Sequence, residues 1–361
     1  MSEMRDMLLD SARRILADHC APAEVIRAEQ GEWPAALWQA LESAGLPLML
    51  VPESLGGSGL DWADALALLR LAGRYSAPVP LGETLLAADL LARAGIAPPS
   101  GPLSVAPARA GDAPRLENGD GPALSGTLRR VPWGRYAAGV AVVARAGDDW
   151  RVALADPADG VIEEGVNLAG EARDEMRFER APVRVGEALA EADAGFVLRM
   201  HGALVRAAQM TGAMDRALEL SVAYAGEREQ FGRPIGRFQA IQQQLAVMTG
   251  DVAAAGAALE AAGERLGRGD AWFFAAVART RIAEAAGPAA SVAHQVHGAM
   301  GFTYEHSLHL STRRLWSWRE EFGSEREWGE RIGRALAVRG ADALWPLLTE
   351  TETGDPHPPR D

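Results

Sequence analysis

At 361 residues, nearly half of them apolar, the chain is long enough to bury a large core and to form two or three domains, and disorder is not its default state. A formal net charge of -13 argues against nucleic acid or an anionic membrane surface as a partner, since both demand a basic face, although a few Arg gathered in one pocket still suffice for an anionic ligand. Cys20 is the sole cysteine, so no internal disulfide is expected; with no membrane-length apolar run and no signal-peptide pattern in residues 1–10, the expected location is the cytoplasm.

The first hundred residues read as helical. Amphipathic patterns cover residues 4–17, 34–44 and 62–73. Between the last two, VPESLGGSGLD (51–61) interrupts the pattern with three Gly, which on composition alone is a surface loop. RYSAPVPLGETLLAADLLARAG (74–95) ends in a further helix closed by Gly95. Over residues 97–121 the composition shifts to Pro, Gly, Ala and acidic residues, marking a domain boundary or long loops. Short strand-like runs follow at 140–144, 150–155 and 176–178, separated by Gly-Asp or Asp-Pro turns, so residues 102–185 read as a small β-domain. Helices resume from Glu187.

Leu204, Ala207, Thr211, Met214, Leu218, Ser221 and Ala225 recur at steps of three and four, as do Ile241, Leu245, Met248, Val252, Ala255, Leu259 and Ala262. That is one apolar stripe on each of two long helices. Gly232, Pro234 and Gly236 break the chain between them, predicting a helical hairpin of the kind that builds an antiparallel bundle. Further on, HQVHGAMGFTYEHSLHLSTRR (294–314) holds four of the seven His, as the pairs His294/His297 and His306/His309. Residues three apart share a helical face, so a metal site is conceivable. No cluster of Asp, Glu or Cys at ligand spacing accompanies them, and no Glu-x-x-His pair occurs, so helix-terminus or interface His are expected and no metal. In EEFGSERE (320–327) the carboxylates neighbour Arg319, Arg326 and Arg331, the pattern of a solvated charged face.

The hairpin run YAGEREQFGRPIGRFQAIQQQ (224–244) closely resembles the signature of the acyl-CoA dehydrogenases, flavoproteins of fatty acid or lipid metabolism that oxidise the α–β bond of an acyl thioester. Residues 51–61 resemble the family's VPE-x-x-GG-x-G loop. The resemblance implies a mainly α fold with a small β-domain: an N-terminal helical domain (1–98), a middle β-barrel-like domain (99–185), a C-terminal four-helix bundle (186–350) and a tail (351–361). The implied cofactor is FAD. Arg228, Gln230 and Phe231 fall where the family contacts the FAD pyrophosphate and adenosine, and Gln239 falls at another such position. A guanidinium there gives planar, bidentate hydrogen bonding to phosphate. Gln295, Gly298 and Gly301 resemble a second cofactor segment, in which small residues let backbone approach a dinucleotide; Ser324 is carried over as a further cofactor contact. In the family both segments reach across the subunit interface to a neighbour's FAD.

The sequence also departs from the family. The Thr-Glu-Pro-x-x-Gly-Ser-Asp loop is missing from SVAPARAGDAPRLENGDG (104–121). The Lys-x-Trp-Ile-(Thr/Ser)-Asn segment that lies along the flavin is replaced by LRRVPWGRYAAG (128–139), where Trp133 is either a substitute aromatic surface or a core residue. The family removes the α-proton with the Glu of a Tyr-Glu-Gly-Thr-x-Glu-Ile segment, a carboxylate whose pKa burial raises. Alignment on Gly323 and Ser324 puts Phe322 at that position, and the alternative base position falls at Gly202. Glu321 is one residue away, and one step on a helix turns a side chain by about 100°.

Contacts to the chain's own flavin and the base are thus lost, while those that reach a neighbour's FAD are kept. The resemblance implies a partner subunit that completes the FAD site of a paralogous catalytic subunit, acting on a bulky or branched acyl-CoA with an electron-transfer flavoprotein as acceptor. Two alternatives stand beside it: a self-sufficient homo-oligomeric dehydrogenase using Glu321 as catalytic base, and a non-catalytic assembly protein with the same fold.

Overall fold

The computed structural model describes residues 3–106, 114–118, 121–147, 149–188, 194–268, 270–340, 342 and 344–349. The tail expected at 351–361, and parts of the 97–121 and 104–121 stretches, lie outside the described residues. The chain divides into two compact units: the described residues up to Leu69 with those from Ala77 to Val205, and Arg70–Ser76 with the described residues from Arg206 onward.

In the first unit, α1 (Glu3–His19) packs on α3 (Ala35–Ser43), and Leu16, Leu37 and Leu41 on these helices are essentially withdrawn from water. Between them lies α2 (Pro22–Glu29), two turns opened by a Pro at the first helical position, where its missing N–H costs nothing. The sequence pattern gave no sign of α2, because eight residues are too few for a periodic signal. Residues 51–61 form the expected loop ahead of α4 (Trp62–Arg74). Gly57 is required there: a Cβ would lie 2.0 Å from the Val51 carbonyl oxygen. Helix α5 (Leu81–Arg93) is buried almost all round, as expected of a helix apolar on every face. Its Thr84 hydroxyl accepts the Leu103 N–H at 2.9 Å and donates to the Leu103 carbonyl, tying α5 to the first strand.

Seven strands follow: β1 (Leu103–Val105), β2 (Arg115–Asn118), β3 (Pro122–Pro132), β4 (Gly139–Ala146), β5 (Asp149–Ala155), β6 (Val161–Glu163) and β7 (Arg173–Ala188). Their order is β1-β4-β2-β3-β7-β5, with β6 on β7, and pairing of β4 with β5 closes the ring into a small barrel. Leu124, Leu128, Val131, Val140, Val142, Met176 and Phe178 fill its core, alternating with outward residues as the period-2 strand demands. Register shifts interrupt β3 between Leu124 and Gly126 and between Leu128 and Val131, where Gly126 and Arg130 take positive φ. Strand β7 extends to Ala188, so the helices resume at Ala194 rather than at Glu187.

The second unit contains the larger part of α6 (Ala194–Glu227), a two-stranded ribbon of β8 (Glu229–Gln230) and β9 (Arg233–Pro234), α7 (Gln239–Arg265), α8 (Ala271–His297), α9 (Leu308–Trp318), α10 (Glu325–Arg339) and α11 (Leu344–Thr349). The α6 stripe is buried as read from sequence, Leu218 only partly, and the α7 stripe is buried from Met248 onward. The end of α4 crosses α6 at two glycines: a Cβ on Gly73 would meet the Gln209 carbonyl oxygen at 2.0 Å, and one on Gly212 the Arg70 carbonyl oxygen at 1.8 Å. Arg70 pairs with Asp215 at 2.8 Å beside that crossing. Among the described residues α7 is the helix long and apolar enough to cross a membrane by length and composition, and one third of that stretch is buried. The architecture is the mainly α fold with a small β-barrel expected from the sequence.

Candidate functional site

Helix α6 ends where Arg228 N–H bonds the Tyr224 carbonyl at 2.8 Å, and the chain reverses through the β8–β9 ribbon. Phe231 and Gly232 at its tip both have positive φ (53° and 76°), the geometry of the two-residue turn that matches strand twist. The turn leaves Phe231 92% exposed, with its ring edge-on to Phe238 at 6.2 Å. The guanidinium of Arg233 covers Phe238 at 4.3 Å. Arg228 itself is exposed, and among the described residues no side-chain hydrogen bond or ion pair engages its guanidinium.

Helix α8 brings the second segment to the same place. It ends at Gly298, whose φ of 58° and ψ of -138° suit only a residue without Cβ; nothing crowds it, so conformation rather than close approach dictates the glycine. Gly301 is different: a Cβ there would lie 3.0 Å from His297 Cβ and 3.2 Å from His294 Nδ1. Together Tyr224, Arg228, Gln230, Phe231, Gln295 and Gly298 line an open cavity of about 450 Å³, within the size range of small-molecule sites. Four of its apolar walls, Ile235, Phe238, Ile241 and Val296, come from the same two segments. Of the cofactor residues carried over from the sequence, Arg228, Gln230, Phe231, Gln295 and Gly298 converge here. Gln239 is exposed at the start of α7 and does not line the cavity.

Glu321 and Ser324 sit elsewhere and are otherwise engaged. Ser324 caps α10 in a capping box: its hydroxyl accepts the Glu327 N–H, and its own N–H bonds the Glu327 carboxylate at 3.2 Å. Glu321 accepts a hydrogen bond from Arg206 Nε at 2.6 Å, with side-chain exposures of 8% and 1% for the two partners. Arg206 also bonds Gln209 at 2.6 Å, and its guanidinium lies 5.8 Å from the Phe322 ring. The loop carrying Glu321 is clamped by buried Arg279, whose Nη2 faces the carbonyls of Trp318, Arg319, Glu321 and Gly323 at 2.6–3.1 Å. Burial pushes the Arg279 pKa down to about 10, against the opposing pull of Glu321 and Glu320. Of the other carboxylates in 320–327, Glu320 and Glu325 pair with Arg319, the latter at 2.8 Å, as a charged face would, while Arg326 pairs instead with Glu330 at 2.9 Å.

In the first unit, the segment that replaces the family's flavin-side motif is folded on itself. Trp133 is 6% exposed, adopts φ 55°, and donates its backbone N–H to the Ala172 carbonyl at 3.0 Å. The next residues turn so that Arg135 reaches the fully buried Asp174, donating from its backbone N–H at 2.7 Å and from Nε at 3.0 Å. Gly165 N–H also donates to Asp174 at 3.1 Å. Burial acts to lower the Arg135 pKa, but the side-chain hydrogen bond and ion pair with Asp174, helped by Glu164, raise it. Tyr136 stacks on Trp33 at 5.2 Å.

Sequence reasoning missed Tyr224 and His297 as walls of the cavity and Arg206 as the partner of Glu321. Tyr224 was signalled by its four-residue spacing from Arg228, one helical turn. Arg206 had no signal, being 115 residues from Glu321.

Comparison with known proteins agrees with the geometry. The description "Acyl-CoA dehydrogenase, N-terminal domain" matches residues 2–97 and "Acyl-CoA dehydrogenase, C-terminal domain" matches residues 199–336. The chain is 32% identical over 326 residues to the acyl-CoA dehydrogenase IpdE2 of Mycobacterium tuberculosis, covering 86% of this chain and 91% of that one. It superimposes on a chain of the ChsE4–ChsE5 complex from Mycobacterium tuberculosis with a TM-score of 0.85 at 28% identity, covering 94% and 99% of the two chains. A Tcur3481–Tcur3483 steroid ACAD variant gives 0.82 at 29% identity, covering 93% and 98%. With domain matches at both ends and 32% identity to IpdE2 over most of its length, the chain belongs to the acyl-CoA dehydrogenase family, whose cofactor is FAD.

Proposed function

We propose that this chain is the completing subunit of a heteromeric acyl-CoA dehydrogenase, lending its cavity to FAD held by a paralogous subunit that supplies the base. The observation that carries this reading is the contrast between two charged side chains: Glu321 is buried against Arg206, whereas Arg228 is exposed, with no side-chain partner among the described residues. A base must be free to take a proton, and Glu321 in a buried ion pair is not. A phosphate-binding Arg, by contrast, must be uncommitted. FAD, when bound, supplies the hydride acceptor for the β-carbon of the acyl thioester.

The cavity residues fit the pyrophosphate–adenosine end of FAD. Arg228 offers two parallel N–H donors to phosphate oxygens, Phe231 offers an aromatic face to a base, and Gln230 and Gln295 offer amides for hydroxyls. The heteromeric ChsE4–ChsE5 complex supports assembly with a paralogue, and the steroid description of the second similar structure supports a bulky acyl group. The largely exposed apolar surface of α7 supports burial against another subunit, and an electron-transfer flavoprotein suits the complex as acceptor. The self-sufficient reading requires Glu321 to leave Arg206.

The test is anaerobic addition of an acyl-CoA to this chain co-purified with a paralogue that carries the missing Glu. Flavin bleaching should vanish when the paralogue's Glu is changed to Gln and persist in Glu321→Gln of this chain. Loss of bleaching in Glu321→Gln, with the complex still assembled and yellow, overturns the proposal.

A further inference from the structure

Beside the cavity, three histidine rings pack as one group. His297, 2% exposed, stacks on Tyr224 with ring centroids 4.6 Å apart and lies 4.5 Å from His306. His306 in turn meets the Tyr224 ring edge-on at 6.2 Å. His294, one helical turn before His297, stacks on Phe302 at 4.5 Å, and its Nε2 is 3.0 Å from the Thr312 hydroxyl. The rings therefore hold the turn that runs from Gly298 to Leu308 against the end of α6.

One hydrogen bond specifies a neutral ring. His306 Nδ1 accepts the Leu308 N–H at 3.2 Å, which it can do only without a proton there. His297 Nδ1 donates to the Ala293 carbonyl at 2.7 Å. Burial lowers the pKa of all three, and His297 adds to the lowering of the other two. From α6 comes Arg216, which disfavours a charged His306 and lies 3.6 Å from Glu219. Arg228 lines the same cavity as His297, and on neighbouring α9 His309 and Arg313 lie 3.2 Å from each other. Opposing the lowering are the carbonyls of Ala293 and Leu220 around His297 and of Gly301 at His294. Among the described residues, no carboxylate, Glu305 next to His306 included, is among the groups that shift the three rings.

We propose that His294, His297 and His306 form a proton-sensitive latch on the cavity, holding the Gln295–Gly298 rim in place when neutral and releasing it, and the cofactor phosphate it borders, on acidification. Two charged rings 4.5 Å apart repel, and protonation of His306 Nδ1 removes the acceptor for the Leu308 N–H. These residues position the rim; none is assigned a chemical step. The inference rests on the cavity being a phosphate site.

The test is amide hydrogen exchange of residues 298–308 in the purified chain at pH 7.5 and 5.5, normalised to the intrinsic rate at each pH. Protection should fall about tenfold at the lower pH. The double variant His297→Phe, His306→Asn keeps the stack and the acceptor for Leu308 but removes two of the three protonation sites, and the fall in its protection between the two pH values should be clearly smaller. Equal protection in the unchanged chain, or an unchanged response in the variant, overturns the latch. Binding of ADP-ribose, whose pyrophosphate diester does not titrate in this range, is followed in parallel and should weaken about tenfold at pH 5.5. Exchange that responds while ADP-ribose binds at neither pH upholds the latch and contradicts the phosphate reading of the cavity.

Discussion

Glu321 and Arg206 meet at 2.6 Å in a pair almost withdrawn from water. Removing one partner leaves the other charge buried, so Glu321→Gln and Arg206→Met should each destabilise the chain by about 3–5 kcal/mol. Replacing both with Met should restore most of that loss, as urea denaturation would show. A single substitution that leaves the midpoint unmoved would mean the pair is open in solution.

Arg228 has the opposite character. Because Arg228 is exposed and has no side-chain partner among the described residues, its replacement by Ala should move the melting temperature little. Loss of charge-assisted hydrogen bonds of about 1.5–3 kcal/mol should weaken flavin retention roughly 10- to 100-fold, measured by released FAD fluorescence on dilution of the complex. Arg228→Lys should recover part of the effect, since it keeps the charge but loses the planar fork.

Gly212 tests the fold rather than the site. A methyl group there would stand 1.8 Å from the Arg70 carbonyl oxygen, and no flexible side chain can yield. Gly212→Ala should therefore lower stability by about 1–3 kcal/mol, the usual cost of forcing extra bulk into packed structure. Thermal unfolding of the variant checks it.

The buried histidines set a pH dependence with a definite sign. Burial lowers His201, His294, His297 and His306, so each binds its proton more tightly in the unfolded chain. Between the lowered folded values and the unfolded value of about 6.5, the unfolded state carries more protons and stability rises with pH. The contribution is complete above about pH 6.5 and is lost as the pH falls towards the folded values. Melting temperatures measured from pH 8 to 5 should be flat at first and then decline, with a shallower decline in the His297→Phe, His306→Asn variant.

Much of this was legible in the sequence, for reasons that differ by element. The stripes of α6 and α7 are long enough for a 3.6-residue period to declare itself, and Gly232 and Pro234 mark the reversal. Strands β3 and β7 were largely hidden, because register shifts at Gly126 and Arg130 break the alternation and charged residues such as Arg177 and Glu179 occupy the outer face. The convergence of Arg228 with Gln295 and Gly298 followed from motif resemblance, since each segment is local. The fate of Glu321 did not: whether it is a base or half of an ion pair is decided by Arg206 and by the Arg279 clamp, both remote in sequence.

The most direct measurement is the flavin absorbance spectrum of the chain purified alone and again after co-expression with a paralogue that carries the missing Glu. The account predicts a colourless chain alone and about one flavin per pair in the complex. A yellow chain that an acyl-CoA bleaches without any partner, and only while Glu321 is intact, would contradict it.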